Sequence, residues 1–143
     1  MMRINIINTH LSIWPKERLE QVHALVNGEW LAHPDAQGPL ILCGDFNALP
    51  HSLVYRRITK RLKDTQSILV GHKPYRTFFG RYPLGQIDYV FVTSDFRVQA
   101  ITVPRTSLDQ IASDHLPLII DLNLYELLQH MHPLAAPAHR GSV

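Results

Sequence analysis

An apolar run ends in an aspartate and an asparagine two residues apart, Leu40-Ile41-Leu42-Cys43-Gly44-Asp45-Phe46-Asn47. In mirror order, an aspartate and a histidine lead into a second such run, Ser113-Asp114-His115-Leu116-Pro117-Leu118-Ile119-Ile120. Asn8-Thr9-His10-Leu11 and Gln86-Ile87-Asp88-Tyr89-Val90-Phe91-Val92 share the character. Side chains that transfer protons and bind metal, fixed at strand ends, are what phosphate-ester hydrolysis requires. Each motif taken singly also has a structural explanation. Asp and Asn after a core strand suit an Asx-turn, and a strand-end His or Asp can merely satisfy turn hydrogen bonds. Gly44 lets the backbone turn sharply and approach a ligand closely.

The elements that must position these residues are legible from periodicity. Residues 3–9 alternate with β-branched Ile4, Ile6 and Ile7 and read as a strand. Pro15 opens a helix, with Glu17 and Glu20 favoured by the N-terminal dipole and Leu19, Val22, Leu25, Val26 and Trp30 on one apolar stripe. Residues 40–43 form a short buried strand, and a short helix follows over residues 52–62. Residues 65–84, with Gly71, Pro74, Gly80 and Pro83, read as a long irregular surface loop. Three strands come next, at residues 87–93, 96–103 and 117–124, with a hairpin expected at Ser94-Asp95. A short helical extension and a disordered tail are expected over residues 125–143, leaving 1–124 as the domain. That order of elements is α/β with a mixed sheet.

With 143 residues, 45% of them hydrophobic, the chain has the size and composition of one globular domain. A net charge of +2 is too small to argue for nucleic acid from charge alone. The lone Cys43 forms no internal disulfide and reads as a small buried residue. No apolar stretch approaches the roughly 20 residues of a membrane helix, and the first residues lack the apolar region of a secretion signal. A cytoplasmic location and no transmembrane segment are expected.

Taken in order, the four motifs resemble those of the endonuclease/exonuclease/phosphatase superfamily, the DNase I-like metal-dependent phosphodiesterases. The stretch from Arg76-Thr77-Phe78 through Gly85-Gln86-Ile87-Asp88 to Ala112-Ser113-Asp114-His115 looks like its bacterial hydrolases. The resemblance implies the C-terminal half of a two-sheet α/β sandwich with flanking helices. In that family roughly the first half of the domain, with the principal metal-binding Glu, precedes the His10-type motif. Carried over residue by residue, Asp45 positions and deprotonates the attacking water. Asn47 and His10 bind the phosphoryl oxygens, and Asp88 orients a cationic His115. Asp114 helps hold Mg²⁺ or Mn²⁺, and Arg76 contacts substrate.

The implied partner is a phosphoester, whether nucleic acid, phospholipid or sugar phosphate. The alternative is a catalytically inactive truncated fragment, or a phosphate-binding remnant, that associates with itself or with a complementing N-terminal half. Arg56, Arg57, Lys60, Arg61 and Lys63 suit either a polyanionic substrate or a solvated helix face. Tyr75 to Phe79 suits an aromatic platform or core packing. His130, His132 and His139 have no metal-ligand spacing.

Overall fold

A computed structural model describes residues 3–28 and 30–125. The expectations for residues 126–143, including the tail and its histidines, lie outside the described residues. Two sheets form the scaffold. The larger has the order β1-β2-β4-β3, built from β1 (Asn5–His10), β2 (Leu40–Asp45), β3 (Lys63–Asp64) and β4 (Asp88–Val92). It is mixed: β1 and β2 run parallel, whereas β4 is antiparallel to both β2 and β3. The smaller pairs β5 (Phe96–Thr102) with β6 (Ile119–Leu124), antiparallel, with a bulge between Val98 and Ala100.

Alternation along the strands divides the larger sheet into two unlike faces. Leu40, Leu42, Tyr89 and Phe91 point to the face covered by α1 (Pro15–Asn27) and α2 (Leu53–Ile58). There Val22, Leu25 and Val26 of α1 and Val54 and Ile58 of α2 close the main core, with Phe46 stacked edge-on against Tyr89 and Phe91. The opposite face carries Ile41, Val90 and Val92, which pack with Phe96, Leu122 and Leu124 of the second sheet. Arg57 Nη1 donates to the Leu19 carbonyl at 3.2 Å and ties α2 to α1, while Arg56, Lys60, Arg61 and Lys63 are exposed. Most of that basic run is a solvated face.

Several expectations need correction. Residues 65–84 are not a surface loop throughout: they open with the helical turn α3 (Thr65–Ile68), and Thr65, Gln66 and Thr77 are fully buried. Their polar groups are internally satisfied, which composition cannot reveal. Thr65 Oγ1 donates to the Val90 carbonyl at 2.8 Å, and Gln66 Oε1 accepts from the Tyr75 amide at 2.7 Å. The Ser94-Asp95 step is a turn but not a hairpin, because β4 and β5 belong to different sheets. Burial of Phe96 and Leu124 against Val92 carries the chain across. The second helix stops at Ile58, short of residue 62. Trp30 lies beyond the end of α1 and is exposed, so it leaves the stripe. Cys43 is half-buried rather than buried, and desolvation raises its thiol pKa.

Gly44 has φ +135°, and a Cβ there would stand 1.8 Å from the Thr9 carbonyl oxygen on the neighbouring strand. The absence of a side chain therefore serves strand pairing: Thr9 and Gly44 are register partners. Gly38, at φ +93°, has nothing within 4 Å of the same position. Gly44→Ala is accordingly expected to cost about 2–4 kcal/mol, and Gly38→Ala about 1 kcal/mol from backbone strain alone. Urea denaturation of both variants checks this, and equal losses would contradict the strand-contact argument.

Candidate active site

The strand register itself builds the first part of the site. His10 is the partner of Asp45 across β1–β2, and Asp45 is the partner of Asp88 across β2–β4. Cross-strand partners share a face. These three side chains therefore stand in one row, on the face away from the helices. The row lies at the C-terminal ends of β1 and β2 and the N-terminal end of β4.

Two further residues are brought in by backbone beyond the strands. The chain turns after β2, with the Asn47 amide donating to Asp45 Oδ1 at 2.8 Å and Asn47 at φ +46°. This is the Asx-turn that the residue types allow, and it does not consume the carboxylate. The other oxygen, Asp45 Oδ2, faces His10 Nε2 at 3.4 Å and His115 Nε2 at 3.8 Å. Asn47 Nδ2 donates to the Leu11 carbonyl at 2.9 Å and lies 3.3 Å from His10 Nε2. That amide is held to the end of β1 with one hydrogen left to aim at the row.

His115 arrives from the second sheet's side, on the segment between α4 (Ser107–Ala112) and β6. A capping box fixes the start of α4: Thr106 Oγ1 accepts from the Asp109 amide, and Asp109 Oδ2 from the Thr106 amide. At its end, Ser113 Oγ accepts from the His115 amide at 3.0 Å. The imidazole places Nδ1 2.8 Å from Asp88 Oδ2 and packs against the Phe78 ring, centroids 5.0 Å apart. Asp88 Oδ2 also accepts from Thr77 Oγ1 at 2.5 Å. Burial alone would lower the His115 pKa. The hydrogen bond and charge of Asp88, followed by the charges of Asp45 and Asp114, outweigh it and raise the value above 6.5. His115 thus holds its proton to higher pH than a free imidazole, oriented through Nδ1 with Nε2 turned towards Asp45.

His10, Asp45, Asn47, Asp88 and His115 converge, and His10 is the most exposed of the ionisable set. Asp114 and Arg76 do not join them. Asp114 is exposed, with its carbonyl accepting from the Gly80 amide at 2.7 Å, and Arg76 is exposed on a neighbouring cleft. For a metal, the converging donors are Asp45, Asp88 and His115, whose ligand atoms lie within 4.8 Å of one another. Asp88 Oδ2 already accepts two hydrogen bonds, which leaves Asp45 Oδ2 as the available carboxylate oxygen. A protonated His115 cannot ligate a metal, so the row offers a small hard cation the Asp45 oxygen alone, and waters and substrate phosphate would complete its shell. Sequence reasoning missed Thr77, Phe78 and Ser113 as supports. Their signal was proximity to the motifs: Thr77 and Phe78 follow Arg76 directly, and Ser113 opens Ser-Asp-His.

Residues 5–115 match the Endonuclease/Exonuclease/phosphatase family. No curated protein matches the chain. Among solved structures, a functionally unknown conserved protein from Enterococcus faecalis V583 is 30% identical, with TM-score 0.71 over 83% of this chain and 49% of its own. The catalytic domain of human Nocturnin, with a bound sulfate anion, is 26% identical, with TM-score 0.60 over 83% and 46%. A mannosyl-6-phosphatase from Bacteroides thetaiotaomicron VPI-5482, at 23% identity and TM-score 0.65 over 83% and 51%, shares the fold. The chain spans about half the length of these structures.

Because the folded His115 pKa is raised, its ion pair with Asp88 stabilises the fold most below the unfolded value. That contribution disappears as pH rises through the folded value. Nuclear magnetic resonance titration of the His115 ring is expected to give a midpoint above 6.5, shifted down in Asp88→Asn. An unchanged midpoint in the variant would contradict the pairing.

Proposed function

The chain belongs to the endonuclease/exonuclease/phosphatase family, and on that premise we propose that it is a metal-dependent phosphoester hydrolase. The convergence of two imidazoles on Asp45 Oδ2, with the Asn47 side-chain amide 3.3 Å from His10 Nε2, carries the reading. Asp45 Oδ2 is the acceptor for a proton of the attacking water. Asn47 Nδ2 and the ring nitrogens of His10 and His115 supply donors to phosphoryl oxygens that gain charge during in-line displacement. Asp88 keeps His115 protonated and fixes the orientation of its ring, and Thr77 holds Asp88 in turn.

Asp114, the carboxylate just outward of His115, would hold Mg²⁺ or Mn²⁺, which leaves Asp45 Oδ2 to take the water proton. A bound cation supplies Lewis-acid polarisation of the phosphoryl group. The substrate is a nucleic acid, a phospholipid head group or a small phosphoester.

A second reading rests on a separate observation. β1 is an edge strand among the described residues, and Ile6 on it and Ile4 just before it are 67% and 41% exposed. In a chain spanning about half of its structural relatives, that edge suits association with a second copy or a complementing half, without catalysis by this chain alone.

Hydrolysis of bis(p-nitrophenyl) phosphate in Mg²⁺ or Mn²⁺ tests the first reading. Asp45→Ala and His115→Ala are each expected to lower kcat/KM at least about hundredfold, with circular dichroism unchanged. Activity should fall as pH rises through the His115 value. Turnover surviving both substitutions would sink the mechanism. Light scattering tests the second reading: concentration-dependent oligomers, reduced in Ile6→Lys, are expected, and a monomer throughout counts against it.

A further inference from the structure

Beside the row lies a trough that runs outward from Asp114 to a group of arginines. Its inner part is a cleft of about 550 Å³ that reaches Ser113 and Asp114, next to His115, and is walled by Phe79, Tyr82, Leu84 and Ile111. Its outer part, also about 550 Å³, shares Arg81, Tyr82 and Leu84 with the inner one and adds Arg76 and Arg105. Three guanidinium groups from separated positions thus line one concavity. All three residues are exposed, and among the described residues none of their guanidinium groups makes an ion pair or a hydrogen bond; Arg105 takes part only through its carbonyl, which accepts from Gln110 Nε2 at 3.2 Å. Arg57, by contrast, donates to a backbone carbonyl. Asp114 lines only the inner part; like charges gathered in the outer part, which no carboxylate lines, raise the local potential, and an anion is what would relieve it.

The segments that carry these arginines are anchored to the site. Arg76 precedes Thr77, whose hydroxyl bonds Asp88 and whose carbonyl accepts the Leu116 amide at 2.9 Å. Arg81 follows Gly80, whose amide donates to the Asp114 carbonyl at 2.7 Å. A Cβ at Gly80 would stand 2.9 Å from the Ser113 carbonyl oxygen, so this approach depends on glycine. Arg105 directly precedes the capping box of α4, the helix that delivers His115. The backbone that carries the cations therefore keeps a fixed relation to the row.

We propose that Arg76, Arg81 and Arg105 form a subsite for a second phosphate, so that the substrate carries one phosphate beyond the one hydrolysed. Planar guanidinium forks match phosphate oxygens bidentately. The apolar wall between the two sites takes the carbon skeleton that joins the phosphates, by contact with Phe79, Tyr82 and Leu84. The proposal rests on the reading of the row as a phosphoester site, and it deepens that reading by naming the substrate class. The second phosphate has two chemical sources: a phosphomonoester on a small molecule, or an internal diester of a nucleic acid.

The test is binding by the full chain in Mg²⁺ buffer, read by isothermal titration calorimetry. Its probes are phenyl phosphate, fructose 1,6-bisphosphate and a thymidine tetranucleotide without terminal phosphate. At least one two-phosphate probe is expected to bind about tenfold or more tighter than phenyl phosphate, and the better of the two identifies the source. Arg81→Ala/Arg105→Ala should remove that advantage, since a charged hydrogen bond is worth about tenfold in affinity, and Arg81→Lys/Arg105→Lys should restore part of it. Equal binding of one- and two-phosphate probes, or an advantage untouched in the alanine variant, overturns the proposal. Absence of turnover with the binding advantage intact would overturn the hydrolase reading and leave the subsite standing. Turnover without the advantage would do the reverse.

Discussion

The register of β1, β2 and β4 is the constraint on which the rest of the structure depends. It sets His10, Asp45 and Asp88 side by side on one face and sends Leu40, Leu42, Tyr89 and Phe91 to the other. Because side chains alternate, a slip of one residue in β2 would bury Asp45 among the helices and expose Leu42. Packing of the core and assembly of the polar row are therefore one decision. The close approach of the Thr9 carbonyl to Gly44 pins that decision from the backbone side.

Asp88 connects this row to everything after it in the chain. Its Oδ2 accepts from Thr77 and from His115, two residues that precede and follow it by many positions. Thr77 is itself locked by the Gly85 carbonyl and by the Leu116 amide, so the segment before β4 and the segment before β6 close on one carboxylate. Short bridges of Phe78 to Gly85 and to His115 complete that closure. The same contacts keep the His115 imidazole protonated to higher pH than a free one. Orientation and raised basicity come from a single partner.

Around the row the surface is divided by chemistry. Exposed apolar side chains stand on one flank, at Phe79, Tyr82, Leu84 and Ile111, and arginines lie beyond them. The basic run of α2, on the far side of the sheet, is mostly solvated and partly structural. Position relative to Asp45, rather than the number of positive charges, separates the arginines of the trough from the solvated basic run. The overall charge of +2 conceals this arrangement.

The sequence by itself determined the family, the α/β class and the residues of the row. It did so because each motif couples a period-two apolar strand to polar residues at its end, a local pattern readable within a few positions. The helix opened by Pro15 and its buried face at Val22, Leu25 and Val26 were legible for the same reason. Tertiary structure alone decided matters that depend on which strands pair and on which polar groups find internal partners. Those partners made Thr65, Gln66 and Thr77 buried where a surface loop was expected, and strand pairing placed β5 with β6 instead of β4. It also made Gly44 serve a neighbouring strand, and brought Arg76, Arg81 and Arg105 to one cleft. Each of these is a contact between residues distant in sequence, and no period or propensity carries that information.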